Sequence, residues 1–117
     1  MAGTFHFRRD QRLTNAIQFE RVYRHGGRCG DALFGVSALA NDCGRARLGL
    51  AVGAKAVGAA VRRNEVRRVI REAFRVRAPA LPAVDLVVTA RPGARSAPRA
   101  ALVASVTRLI DRACRLP

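Results

Sequence analysis

Hydrophobic positions change period several times along this chain, and each change marks an element. Asn15 followed by Gln18 fits a capping box, in which two side chains satisfy the first amides of a helix. That helix runs to about Arg24, and Gly26-Gly27 stops it. Phe19 and Tyr23, four apart, share one of its faces. By spacing alone both rings belong to the core, with the polar tip of Tyr23 the better candidate for meeting a ligand. After a turn region over 26–32, Leu33–Ala40 reads as a strand, and Asn41-Asp42 with Gly44 predicts a hairpin turn. In the next strand, Arg47–Val52, the residues Leu48, Leu50 and Val52 face one way, and Arg47, Gly49 and Ala51 the other. Small side chains on that second face predict a shallow, accessible surface against which an unpaired nucleic-acid strand could lie.

From Lys55 to Arg77 the period lengthens to that of a helix. Val66, Val69, Ile70, Ala73 and Phe74 form one apolar stripe at about 100° per residue. The helix ends before Pro79, and Pro82 keeps the connection extended. Val84–Ala90 is the strongest strand signal in the chain. A strand, a helix and a strand in succession imply a parallel crossover, which puts Arg47–Val52 and Val84–Ala90 in one sheet. Arg91-Pro92-Gly93 is a turn, and Ser96 with Pro98 opens a last helix. Its Leu102, Val103, Val106, Leu109, Ile110 and Ala113 make an amphipathic face for the sheet. The whole predicts one α+β domain over residues 1–117. A partly ordered basic arm over 1–12 leads it, with Phe5 and Phe7 on one side of an extended segment.

Charge changes the reading of the long helix. The 117 residues carry 22 basic and 8 acidic side chains, a formal charge of +14, and of the basic ones only Lys55 is lysine. An excess of this size in a small domain is self-repelling, and a polyanionic partner relieves it. An Arg- and Ala-rich composition accounts for part of the bias, yet guanidinium still suits bidentate phosphate contacts and stacking on bases. Opposite the apolar stripe lie Arg67, Arg68, Arg71 and Arg75, joined by Arg62, Arg63 and Arg77 against only Glu65 and Glu72. Most charged helices merely present a solvated face; seven cations of one type favour an anion-binding one.

Catalytic chemistry is hard to assemble from these residues. His6 and His25 both lie in the N-terminal quarter, away from a paired nucleophile, and the eight acids form no DxD-like cluster. Phosphate-cradling glycine loops are missing, as Gly53 and Gly58 flank Lys55 without the spacing. Cys29, Cys43 and Cys114 suit neither a disulfide framework nor a zinc site, and read as free thiols of a reducing compartment. With no long apolar run and no signal-peptide pattern, the expected location is the cytoplasm, with no membrane partner. Binding, rather than chemistry, is the predicted activity.

Four segments, RLT-x4-F-x3-Y from Arg12, RLGLAV from Arg47, KAVGAAVRRNEVRRVIREAFR from Lys55 and DLVVTARPGA from Asp85, occur in this order. Together they resemble the protein subunit of bacterial ribonuclease P, with Arg63-Asn64-Glu65 matching the family's RNR motif. The resemblance implies an α-β-β-β-α-β-α two-layer sandwich, like domain 2 of ribosomal protein S5, with a left-handed crossover. It implies a protein that binds a catalytic RNA subunit through Lys55, Arg62, Arg63, Asn64, Arg67, Arg68 and Arg71. It implies, too, that the single-stranded 5′ leader of precursor tRNA is held by Phe19, Tyr23, Phe34 and Ser37, which turns the aromatic pair from core into stacking surface. Leader removal would then be performed by the RNA with Mg²⁺, and this chain, monomeric on its own, would contribute no catalytic residue. Three positions depart from the family pattern: Glu65 where Arg is common, Ala56 beside Lys55 where lysines often pair, and Ser37 where a strand tyrosine is frequent. Glu65, within reach of Arg68, is expected to tie that arginine in place. A ribosomal-type structural RNA-binding protein is the alternative that composition supports equally. A DNA-reading helix lacks base-reading Asn and Gln beyond Asn64, and a membrane-surface helix would need the apolar stripe that the core requires.

Overall fold

The computed structural model describes residues 12, 13 and 15–115; the expected pairing of Phe5 with Phe7 lies outside them. Helix α1 (Ala16–His25) starts as its capping box requires. Asn15 Oδ1 accepts the Gln18 amide at 2.8 Å, and Gln18 Oε1 accepts the Asn15 amide at 3.4 Å. Strands β1 (Gly27–Gly30), β2 (Phe34–Ala40), β3 (Arg47–Ala51) and β4 (Val84–Ala90) form one sheet in the order β1-β2-β4-β3. β1 falls inside the segment read above as a turn; Gly-Arg-Cys-Gly carries too little hydrophobic alternation to announce a strand. β2 antiparallels both β1 and β4, while β3 runs parallel to β4.

The predicted hairpin between β2 and β3 is therefore wrong: β4 lies between them. The connection folds over the end of β4, where Asn41 Nδ2 donates to Asp85 Oδ1 at 2.7 Å and to the Arg45 carbonyl at 3.0 Å. Arg47 grips the same buried carboxylate with two bonds of 2.8 Å, tying β3 to β4. β4 takes the centre because Val84 to Val88 and Ala90 are all buried, as a strand covered on both faces demands.

The parallel crossover predicted from β3 to β4 is present, but the helix over 55–77 is two helices, α2 (Ala54–Val57) and α3 (Ala60–Arg77). Gly58 breaks it at φ +93°, a conformation that favours glycine. α3 buries the five expected residues Val66, Val69, Ile70, Ala73 and Phe74. With α4 (Arg99–Arg115) it covers one face of the sheet, meeting Phe34, Val36, Leu48, Leu86 and Val88. Large side chains buried this fully contribute about 1.5–3 kcal/mol each. α1 lies across the other face, where Val22 packs with Leu13 and Val87 beside Phe19, Tyr23 and Leu39. Arg12 and Leu13 extend the sheet beyond β3: Arg12 bridges Leu48 in parallel, and the Leu13 amide donates to the Leu48 carbonyl at 2.9 Å.

Candidate nucleic-acid interface

Two rings of α1 reach down to the sheet. Phe19 sits over Gly49 of β3, so close that a Cβ there would lie 2.7 Å from its Cζ. Tyr23 stands edge-on to Phe19 with centroids 6.4 Å apart and planes at 62°. Its hydroxyl is 3.1 Å from Thr89 Oγ1 of β4, and Arg28 Nη2 holds its carbonyl at 2.6 Å. Both rings are half-buried, with one side against protein and the remainder open. The accessible second face expected of β3 is thus filled at Gly49 and half-open at Ala51.

Beyond the rings, toward the carboxyl ends of the parallel strands, Ala51, Thr89, Gly35 and Gly30 stand side by side in register. All four retain solvent exposure, making a flat floor walled by α1. At its β3 end the chain turns into α2 with the exposed Lys55. At its β1 end the Arg91 guanidinium covers Gly30 and Gly35, with Nη1 donating to the Asp31 carbonyl at 2.7 Å. Asp31 is itself fixed: Oδ1 accepts the Leu33 and Phe34 amides at 2.8 and 3.0 Å. Oδ2 accepts Ser105 Oγ and Arg108 Nη2, each at 2.6 Å. Burial pushes the Asp31 carboxyl up, but the Ser105 bond, the two amides and Arg108 outweigh it and hold the group below its ordinary value.

The leader set named from sequence is divided by this geometry. Phe19 and Tyr23 share the cleft. Phe34 does not: it is fully buried on the opposite face, among the residues packed under α3 and α4. Strand alternation sends Phe34 and Val36 to that core and leaves Gly35 and Ser37 facing α1. Ser37 is on the right face but 6% exposed, so it lies beneath the surface rather than on it.

The basic helix is divided in the same way. Arg62 turns inward, donating to the carbonyls of Ala94, Arg95 and Ala97 at 2.7, 2.9 and 2.6 Å and to Glu65 at 2.7 Å. It staples α3 to the turn before α4 and is spent on structure. Glu65 therefore holds Arg62, not Arg68 as expected. Arg77 pairs with Asp111 of α4 at 2.8 Å, and Arg75 pairs with Glu72. Arg63 Nε reaches the Gly58 carbonyl at 3.2 Å, and Arg67 bridges Asn64 Oδ1 at 3.2 Å and the Val52 carbonyl at 3.3 Å. Arg68, Arg71 and Asn64 remain exposed and, with Glu72 and Arg75, line a depression of about 290 Å³. Arg71 is partly desolvated and repelled by Arg12 and Arg67, which together hold its pKa below the ordinary arginine value. Cations massed against their own repulsion are what an incoming phosphate backbone relieves.

Two participants were missed by sequence reading: Arg12, which joins this cluster across β3, and Arg91. The signal for Arg91 was present in β4, whose alternation runs Asp85, Val87, Thr89 and onward to Arg91 on one face. Among the described residues no three His, Cys, Asp or Glu side chains converge as metal ligands. Burial raises the pKa of the Cys29 and Cys114 thiols, which suits structural rather than reactive cysteines. None of the described helices is long and apolar enough to cross a membrane.

Comparison with known proteins bears on the family and the fold. A family model described as Ribonuclease P matches residues 7–114. The ribonuclease P protein component of Halorhodospira halophila is 41% identical over 110 residues, covering 93% of this chain and 90% of that one. That of Escherichia coli O157:H7 is 37% identical over 110 residues, covering 94% and 92%. The RNase P protein of Staphylococcus aureus superposes with a TM-score of 0.83 at 31% identity, over 88% of this chain and 94% of that one. For the Thermotoga maritima protein the TM-score is 0.74 at 26% identity, over 91% and 97%. Matched along nearly its whole length in sequence and in fold, the chain belongs to the ribonuclease P protein family.

Proposed function

We propose that this chain is the protein component of ribonuclease P, docking on the RNA subunit through α3 and holding the 5′ leader of precursor tRNA between α1 and the sheet. Arg63, Asn64, Arg67, Arg68 and Arg71, with Lys55 and Arg12, meet the phosphates of the RNA subunit. Phe19 and Tyr23 stack on unpaired leader bases, while the floor of small residues lets the strand approach closely. Hydrolysis of the leader–tRNA phosphodiester belongs to the RNA and its Mg²⁺; this chain binds, orients and screens charge. It works in the cytoplasm, as a monomer when free of RNA.

The observation that carries this reading is the placing of the two surfaces. The aromatic cleft and the arginine cluster lie on either side of β3, so one RNA complex can engage both. Cleavage of precursor tRNA by the cognate RNA subunit at low Mg²⁺, with and without the protein, is the test. Rate enhancement by the protein is expected, and an unchanged rate would contradict it.

A further inference from the structure

The Arg91 side chain has an orientation that phosphate binding does not explain. A Cβ built on Gly30 would lie 2.7, 2.9 and 2.9 Å from its Nη1, Cζ and Nη2, and one on Gly35 would lie 2.9 to 3.3 Å from Nη2, Cζ and Nε. Near-equal distances to three atoms of one plane mean that the guanidinium lies on the glycines rather than pointing an edge at them. Any larger residue at either position would occupy its seat. Gly30 and Gly35 are paired across β1 and β2, so the seat is a patch of bare sheet backbone. Nη1 is anchored on the Asp31 carbonyl at 2.7 Å, and Asp31 is locked to α4 through Ser105 and Arg108. The N–H bonds therefore run along the sheet surface, while the broad outer face of the cation is turned to solvent; Arg91 is exposed.

A phosphate is gripped along the N–H directions, at the edge of the guanidinium. The outer face of the plane suits a different partner, the π-face of a base. Gly35 is paired in turn with Thr89, whose hydroxyl meets that of Tyr23 at 3.1 Å. The exposed guanidinium face is thus about one strand spacing, roughly 5 Å, from the tip of the aromatic wall. We propose that Arg91 is a stacking platform for one unpaired base of the bound strand, a third flat surface in line with Phe19 and Tyr23. The proposal rests on the leader lying in this cleft and adds a nucleobase subsite at its β1 end.

Holoenzyme reconstituted with wild-type protein, Arg91→Lys or Arg91→Gln would be titrated with precursor tRNA and with mature tRNA. Lysine keeps the charge and the reach to the Asp31 carbonyl but lacks the plane. Stacking therefore predicts that both variants lose roughly tenfold in precursor affinity, the scale of one base–side-chain stack, with mature tRNA affinity unchanged. In the wild type, one leader position made abasic should reproduce that loss, and combining it with Arg91→Lys should lose nothing more. Full affinity in Arg91→Lys would overturn the stacking role and mark a charge contact instead. So would a loss that every abasic position leaves undiminished. If wild-type protein itself fails to favour precursor over mature tRNA, the leader reading falls as well, which separates the two failures. Unchanged affinity of each variant for the RNA subunit, carried by α3, shows that it is folded.

Discussion

Arg62 and Arg71 lie on the same helix and have opposite tasks. Arg62 donates four hydrogen bonds within the protein, three of them to carbonyls between Ala94 and Ala97. Arg62→Ala should cost about 2 kcal/mol, on the scale of hydrogen bonds made by a charged donor, and lower the melting temperature accordingly. Arg71→Ala should leave the melting curve in place and weaken binding to the RNA subunit, since Arg71 stands among like charges. Calorimetry and filter binding on the two variants separate these roles; equal melting temperatures would refute the division. Asp31 supplies a pH dependence. Its folded pKa lies below the unfolded value, so its contribution is complete above about pH 4 and lost as pH falls through the folded pKa. Urea midpoints measured from about pH 5 to about pH 2 should fall less steeply in Asp31→Asn than in wild type. The motif around Arg63 was legible because its chemistry is local. The inward turn of Arg62 was not, because its three carbonyl acceptors lie 32 to 35 residues downstream.

Among the elements, those with a clear hydrophobic pattern were readable, while the shortest strand and the order of strands in the sheet were not. The capping box fixed α1, the apolar stripe fixed α3, and the continuous apolar run fixed β4. β1 escaped because two glycines and an arginine among four residues leave no pattern, and the supposed hairpin failed because adjacency in sequence does not exclude an inserted strand. Placing Phe34 in the cleft ignored strand alternation, by which it shares a face with Val36. The contact between α1 and β3 depends on one missing side chain. Gly49→Ala would put a Cβ 2.7 Å from Phe19 Cζ and force the ring to shift. Precursor affinity should then fall several-fold while affinity for the RNA subunit holds; retention of both would show that the ring's depth over β3 is immaterial to leader binding.

Across the whole molecule, 22 basic residues stand against 8 acidic ones in a chain whose core is otherwise ordinary. Sequence alone pointed to a polyanion partner and to the basic helix proposed above to meet it. Folding was needed to bring Arg12 to Arg71, and Arg91 onto the floor beside Tyr23's wall. Affinity for the RNA subunit should fall linearly on a log–log plot against salt, with a slope near 0.7–0.9 per phosphate neutralised; a flat response would deny the arginine cluster its role. The division into two surfaces is tested most directly by the affinity of the RNA subunit for precursor and for mature tRNA, each measured with and without this protein. A gain for the precursor well above that for mature tRNA, lost when Phe19 and Tyr23 are both replaced by alanine, is expected. Equal gains for the two RNAs would contradict it.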